Sequence, residues 1–281
     1  MNSLVRFARQ RPVLSYIVLT LAWSFLFWGL ILTVTPAGTL MVEPMKPAAF
    51  GFMMLGLIGP TFAAIVLTRT IYGKGSVRAL YGRLGMWRVG VWGIVILIPL
   101  LLNLVQLAAY TLFGGSAPID FAARLPMGIM LGMTAGFIEE FGWRGFMLPH
   151  LQKHHSPFVS AIIVGLVWGG IWHGFADYLG IPQEGLTKLA LIILLGPALL
   201  TAFSVMLTAL YNGTRGSMLA VVLFHFFISS SSLILEVPTA SDGERVMWAV
   251  VGVVLAWLVA LGLAVRAGMF GKAPTLKART V

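Results

Sequence analysis

Eight stretches of about 20 mostly apolar residues, parted by short breaks, leave this chain few ways to fold. They lie at about 13–35, 48–70, 89–113, 125–148, 157–178, 188–211, 216–235 and 246–267. At ~1.5 Å of rise per residue, each is long enough to cross a ~30 Å hydrocarbon core as a helix. Glycine and charge mark the breaks, as in Tyr72-Gly73-Lys74-Gly75 and Asn212-Gly213-Thr214-Arg215-Gly216. With 59% hydrophobic and only 10% charged residues over 281 positions, a water-soluble globule is excluded. The expected fold class is all-α, a polytopic membrane bundle of about eight transmembrane helices. Because the connections are short, residues 1–281 are expected to form a single transmembrane domain.

The distribution of charge tests this count and orients the spans. With the N-terminus in the cytoplasm, Arg6, Arg9, Arg11, Arg69, Lys74, Arg78, Arg83, Arg88, Lys153, Arg215, Arg266, Lys272, Lys277 and Arg279 all fall on the cytoplasmic side. Only Lys46, Arg124, Lys188 and Arg245 fall outside. The acids Glu43, Asp120, Asp177, Glu184, Glu236, Asp242 and Glu244 lie in or beside external loops. A wrong count would scramble this segregation, so both termini are expected in the cytoplasm. The formal net charge of +10 then marks membrane orientation, and no nucleic-acid partner is expected. The N-terminal arginines resemble those of a signal peptide. The apolar run from Val13 to about Thr35 is too long for one and lacks an Ala-x-Ala site, so it reads as an uncleaved first span. The absence of cysteine removes disulfides, iron–sulfur ligation and Cys-rich zinc sites, leaving His and carboxylates as metal ligands.

Glu139, Glu140 and Arg144 interrupt the apolar run from Met127 to Leu148. Near a bilayer centre each costs roughly 3 kcal/mol, about 9 kcal/mol for the trio before pairing. Glu140 and Arg144 are four apart with the acid first, the favourable order for an ion pair on one helix face. Glu139 is offset by about 100°. Arg144 therefore neutralises and orients Glu140, while Glu139 is left for a second partner or a water.

His173 and His225 lie at membrane depth on other helices. A buried carboxylate with two imidazoles suits the activation of water, the carboxylate acting as base and the histidines stabilising an oxyanion or holding a metal. Ser229, one turn after His225, offers a hydroxyl at the same level. Taken alone, the Glu/Arg pair reads equally as a structural clamp, and a single membrane histidine as an interhelical hydrogen bond. A clamp has no use for a second, unpaired glutamate and two distant histidines. Trp168, Trp172, Phe224 and Phe226 read as packing. Asn103, Gln106 and the Thr201, Ser204, Thr208 stripe read as interhelical glue, and His150, His154 and His155, beside Lys153, as an interfacial cluster.

Glu139-Glu140-Phe141-Gly142-Trp143-Arg144 resembles the EExxxR motif of the CPBP intramembrane proteases, a group that includes type II CAAX prenyl endopeptidases and bacteriocin-processing or self-immunity proteins. His173 and His225 match that family's second and third motifs in order, so the resemblance covers a core of about 125–235. It implies an intramembrane endopeptidase in which Glu139 activates the attacking water, Glu140 and Arg144 support it, and His173 and His225 complete the catalytic group. Two positions depart from the pattern. The second motif is FxxxH, yet Gly169 stands four before His173, and Ser229 stands where the third motif commonly has Asn.

The family has been described as metalloproteases, which implies zinc on His173, His225 and Glu139. The chain lacks HExxH, and a Glu-activated water with histidine donors is the metal-free alternative. The implied partners are membrane lipids and a membrane-associated protein or peptide substrate, whether or not it bears a CAAX-type lipid. The implied location is the cytoplasmic (inner) membrane of a prokaryote, and oligomeric state is not legible. Two rivals stay open: a proton-coupled transporter with Glu139, His173 and His225 as relay, and a non-catalytic membrane scaffold or immunity protein of the same fold. Depth poses a further condition. Counted at ~1.5 Å per residue, Glu139 and His225 lie about 12–14 Å from the cytoplasmic boundary and His173 about 24 Å. For the three to meet, the fifth span has to start later than Pro157, tilt or break.

Overall fold

The computed structural model describes residues 3–36, 45–115, 119–180 and 185–272, and every regular element among them is a helix. Of the charges used above, Glu43, Glu184, Lys277 and Arg279 lie outside the described residues. A short helix α1 (Ser3–Gln10) leads into α2 (Pro12–Ile31), α3 (Pro47–Leu57), α4 (Gly59–Tyr72) and α5 (Ser76–Gly82). Then follow α6 (Gly90–Leu112), α7 (Phe121–Leu151), α8 (Pro157–Leu179), α9 (Leu191–Gly213), α10 (Met218–Ile234) and α11 (Asp242–Arg266). Helices α2, α6, α7, α8, α9 and α11 are each long and apolar enough to cross a membrane. The second expected span is instead the pair α3 and α4, bent by 41°. The seventh, α10, has 17 residues and spans only ~26 Å.

The bend has a local cause. Pro60 has no N–H, so the Gly56 carbonyl four residues earlier loses its helical donor. The Ser24 hydroxyl on α2 supplies a substitute at 2.7 Å, and the Trp23 indole donates to the adjacent Leu55 carbonyl at 2.8 Å. Ser24 Oγ also accepts from Trp172 Nε1 at 2.8 Å, which ties α8 to the same break. Freed backbone groups at membrane depth are tolerated only when neighbours satisfy them in this way.

Polarity along α2 runs inside out. Tyr16, Thr20, Ser24 and Trp28, at four-residue spacing, are buried, while Leu14, Val18 and Leu26 are exposed. Such a face pattern suits lipid outside and polar contacts between helices within. The chain is an integral membrane protein. At its centre lies α9, with every residue from Thr201 to Tyr211 buried, as expected of a helix surrounded by others. Ser204 donates to the Ala161 carbonyl at 2.8 Å, Asn103 to Ser231 at 3.0 Å and Gln106 to the Trp248 carbonyl at 2.6 Å. These three act as interhelical glue. The Thr201 and Thr208 hydroxyls, assigned to the same stripe, are buried without a partner.

The contact that places the site is the seam between α7 and α10. Gly128, Gly132 and Gly136, four apart on α7, face Ile234, Phe226 and Val222 on α10 in antiparallel register. A Cβ on Gly136 would stand 2.6 Å from the Val222 carbonyl oxygen, and one on Gly132 would stand 2.7 Å from that of Phe226. Small residues at this spacing let two backbones approach closely. The seam ends one turn short of Glu139 and Glu140, and so delivers them to His225.

Candidate active site

Glu139 and Glu140 lie near the end of the regular part of α7, and Arg144 lies in a five-residue π-helical stretch, Trp143–Met147, that follows it. Glu140 and Arg144 are fully buried and paired, Arg144 Nη1 donating to Glu140 Oε1 at 2.8 Å. The expected pairing of Arg144 with Glu140 is therefore present. The same oxygen, Oε1, lies 2.7 Å from His225 Nδ1. His225 is thus bonded to Glu140, a pairing that spacing along the chain had left open. Glu140 Oε2 and Arg144 Nε and Nη2 are buried without a protein partner, so the spot stays polar inside an otherwise apolar bundle.

Glu139 faces another set of groups. Its Oε2 accepts a hydrogen bond from Trp168 Nε1 at 2.8 Å and stands 4.0 Å from His173 Nε2. The side chain of His173 is 28% exposed, while those of Glu139 and His225 are 2% and those of Glu140 and Arg144 are 0%. An approaching molecule therefore meets His173 first. Ser229 is half-buried one turn beyond His225, and its hydroxyl makes no hydrogen bond to the cluster.

His173 reaches Glu139 although helix α8 does start at Pro157, with Ser156 as its N-cap. Two features close the depth gap. Helix α7 extends to Leu151, which sets Glu139 ~18 Å from its end instead of 12–14 Å. Side chains also tilt toward their own helix N-terminus, and in a hairpin turning at residues 152–156 those of α7 and α8 lean toward each other. The fifth span is not broken: Pro157–Leu179 is one continuous helix, wound as a π-helix over Leu166–His173.

That stretch also accounts for the departure from FxxxH. Bonding from residue i to i+5 lays residues five apart on nearly one face, as i to i+4 does in an α-helix. Trp168, five before His173, thereby takes the angular place of an aromatic four before it, and the two rings meet edge to face with centroids 5.8 Å apart. Gly169 is needed for another purpose, since a Cβ there would stand 2.7 Å from Leu200 Cβ on α9.

Trp168 and Trp172 are thus more than packing, each donating a buried hydrogen bond. The sequence signal that could have located Trp168 is its indole N–H, a donor placed beside an unpaired acid. The glycine seam is likewise legible as three small residues four apart. The interfacial histidines separate: His150 is buried between the Tyr72 hydroxyl and the Phe146 carbonyl, both at 2.7 Å, while His154 and His155 are exposed.

A zinc centre takes at least three protein ligands. Among the described residues, no three His, Cys, Asp or Glu side chains are gathered at metal-holding distances. Glu139, His173 and His225 are arranged around the Trp168 ring instead, which does not fit such a centre.

Fold and site define a polytopic helical membrane protein with two carboxylates, one arginine and one imidazole buried between its helices and a second imidazole partly exposed beside them. Residues 120–231 match the Rce1-like type II CAAX prenyl endopeptidase family. CAAX prenyl protease 2 of Methanococcus maripaludis is 24% identical over 153 residues, which cover 51% of this chain and 53% of that protein. The chain thus spans about half the length of this curated relative. Over this stretch the chain is similar to the CPBP/CAAX proteases.

Proposed function

We propose that this protein is an intramembrane endopeptidase that hydrolyses a peptide bond in a membrane-associated protein or peptide through a water activated by Glu139. The observation that carries this reading is the division between the two acids. Glu140 is taken up by Arg144 and His225, while Glu139 accepts a hydrogen bond from the neutral Trp168 indole, with no Arg or Lys bonded to it, beside the partly exposed His173. A carboxylate free of a counter-charge is the one able to take a proton.

In the proposed step, Glu139 removes a proton from water as the water oxygen bonds to the scissile carbonyl carbon. His173 and His225 stabilise the oxyanion. The C–N bond then breaks, the Glu139 proton passes to the leaving nitrogen, and a carboxylic acid and an amine leave. Glu140 accepts from Nδ1–H of His225 and fixes the ring, and with a proton on each ring nitrogen Nε2–H is left to donate to the oxyanion. No metal enters this scheme.

The family name and the named relative suggest a protein ending in a CAAX sequence, prenylated or not, as the substrate class. Proteoliposomes given a fluorescence-quenched CAAX peptide, with and without a farnesyl group, test the reading. Cleavage that survives exhaustive chelation is expected. Substrate-linked proton flux without cleavage would favour a transporter, and neither activity would favour a scaffold. Loss of cleavage on chelation, restored by zinc, would replace the metal-free scheme.

We further read the segregation of Lys and Arg as placing both termini in the cytoplasm, and take from the family resemblance an inner membrane of a prokaryote as the location. A reporter fused after Val281 should be active only on the cytoplasmic side. An external signal there would overturn the orientation.

A further inference from the structure

Trp168 contacts four of the groups discussed above. Its Nε1–H donates to Glu139 Oε2 at 2.8 Å, and the guanidinium carbon of Arg144 lies 4.8 Å from the centroid of its ring. His173 and His225 meet the ring edge to face, with centroids 5.8 and 5.3 Å away. The side chain is fully buried. An aromatic ring is electron-rich on its face and electron-poor at its edge, so one indole accommodates a cation over its face and an anion at its N–H. Arg144 and Glu139, two opposite charges in one buried cluster, are in this way each engaged by Trp168 and kept from pairing with each other. Arg144 is left with Glu140 as its carboxylate partner.

We propose that Trp168 is a positioning residue. Its indole N–H holds the Glu139 carboxylate by Oε2, turning Oε1 toward the water, and its ring keeps Arg144 from capturing that carboxylate. The proposal rests on the reading of Glu139 as the base. It also gives the π-helical stretch of α8 a purpose, because only that winding sets Trp168 and His173 on one face.

The test separates the N–H from the ring. Replacing Trp168 by β-(3-benzothienyl)alanine keeps the bicyclic ring and puts sulfur where the indole has N–H, and Trp168→Phe removes the donor with a smaller ring. Cleavage of the quenched CAAX peptide should show kcat reduced about 10- to 100-fold, the scale of one hydrogen bond to a charged group. KM should change less than about twofold, a split that general loosening of the bundle would not give. An indole 15N resonance of the wild-type protein should shift in Glu139→Gln, a reading that holds even if neither Trp168 variant folds. Wild-type kcat in the benzothienyl protein, or indole resonances that all ignore Glu139→Gln, would overturn the role of Trp168 while leaving Glu139 as base. Turnover retained in Glu139→Gln itself would remove the base and this inference together.

Discussion

Glu139→Gln should yield a folded, membrane-inserted protein that cleaves the CAAX peptide at least about 1000-fold more slowly than the wild type. General base catalysis contributes about 100- to 10,000-fold, and glutamine keeps the shape of the side chain while losing the ability to take a proton. The amide oxygen still accepts the Trp168 N–H, so the 2.8 Å hydrogen bond has a successor. No ion pair involving Arg or Lys is broken, because Arg144 is bonded to Glu140. The thermal midpoint in detergent should therefore stay within a few degrees of the wild type. Turnover near the wild-type rate in this variant would reduce Glu139 to a structural acid and end the proposed mechanism.

The second large effect concerns stability. Glu140→Gln leaves the fully buried Arg144 without its carboxylate, and Arg144→Leu leaves Glu140 facing only His225. Breaking a buried pair by removing one partner costs about 3–5 kcal/mol, because an uncompensated charge remains in a medium that cannot solvate it. Removing both charges at once abolishes that imbalance. The double variant Glu140→Gln/Arg144→Leu should therefore be more stable than either single one, with a coupling of at least about 1 kcal/mol in a double-mutant cycle. Strict additivity of the three stability losses would show that the pair makes no joint contribution. His225 loses its anchor in every variant lacking the Glu140 carboxylate, so cleavage should not return when stability does.

Much of this architecture is legible in the order of residues, because the signals are local. A ~30 Å apolar core demands a helix wherever about 20 apolar residues run together, and each of the eight stretches is helical. Arg144 and Glu140 belong to one turn of one helix, so their pairing follows from spacing alone. The lengths were less secure. Pro60 bends the second span, where Ser24 on α2 satisfies the carbonyl it frees, and α10 stops after 17 residues. Ser229, placed at the site by its spacing from His225, makes no hydrogen bond to the cluster. A position one turn away on the same face fixes direction but not reach.

What the sequence by itself determined, then, is a helical membrane protein with an intrahelical Glu–Arg pair and two histidines at depth. Which acid each histidine meets was decided by the tertiary structure. Partnership between helices depends on their relative height and rotation, and these follow from contacts far apart in the chain. The glycine seam of α7 sets His225 against Glu140, and the π-helical winding of α8 brings Trp168 and His173 to Glu139. The chain can be read one helix at a time for what each presents, but the acid–histidine cluster forms where three of them meet, and that meeting is fixed by packing, for which no single segment carries the pattern.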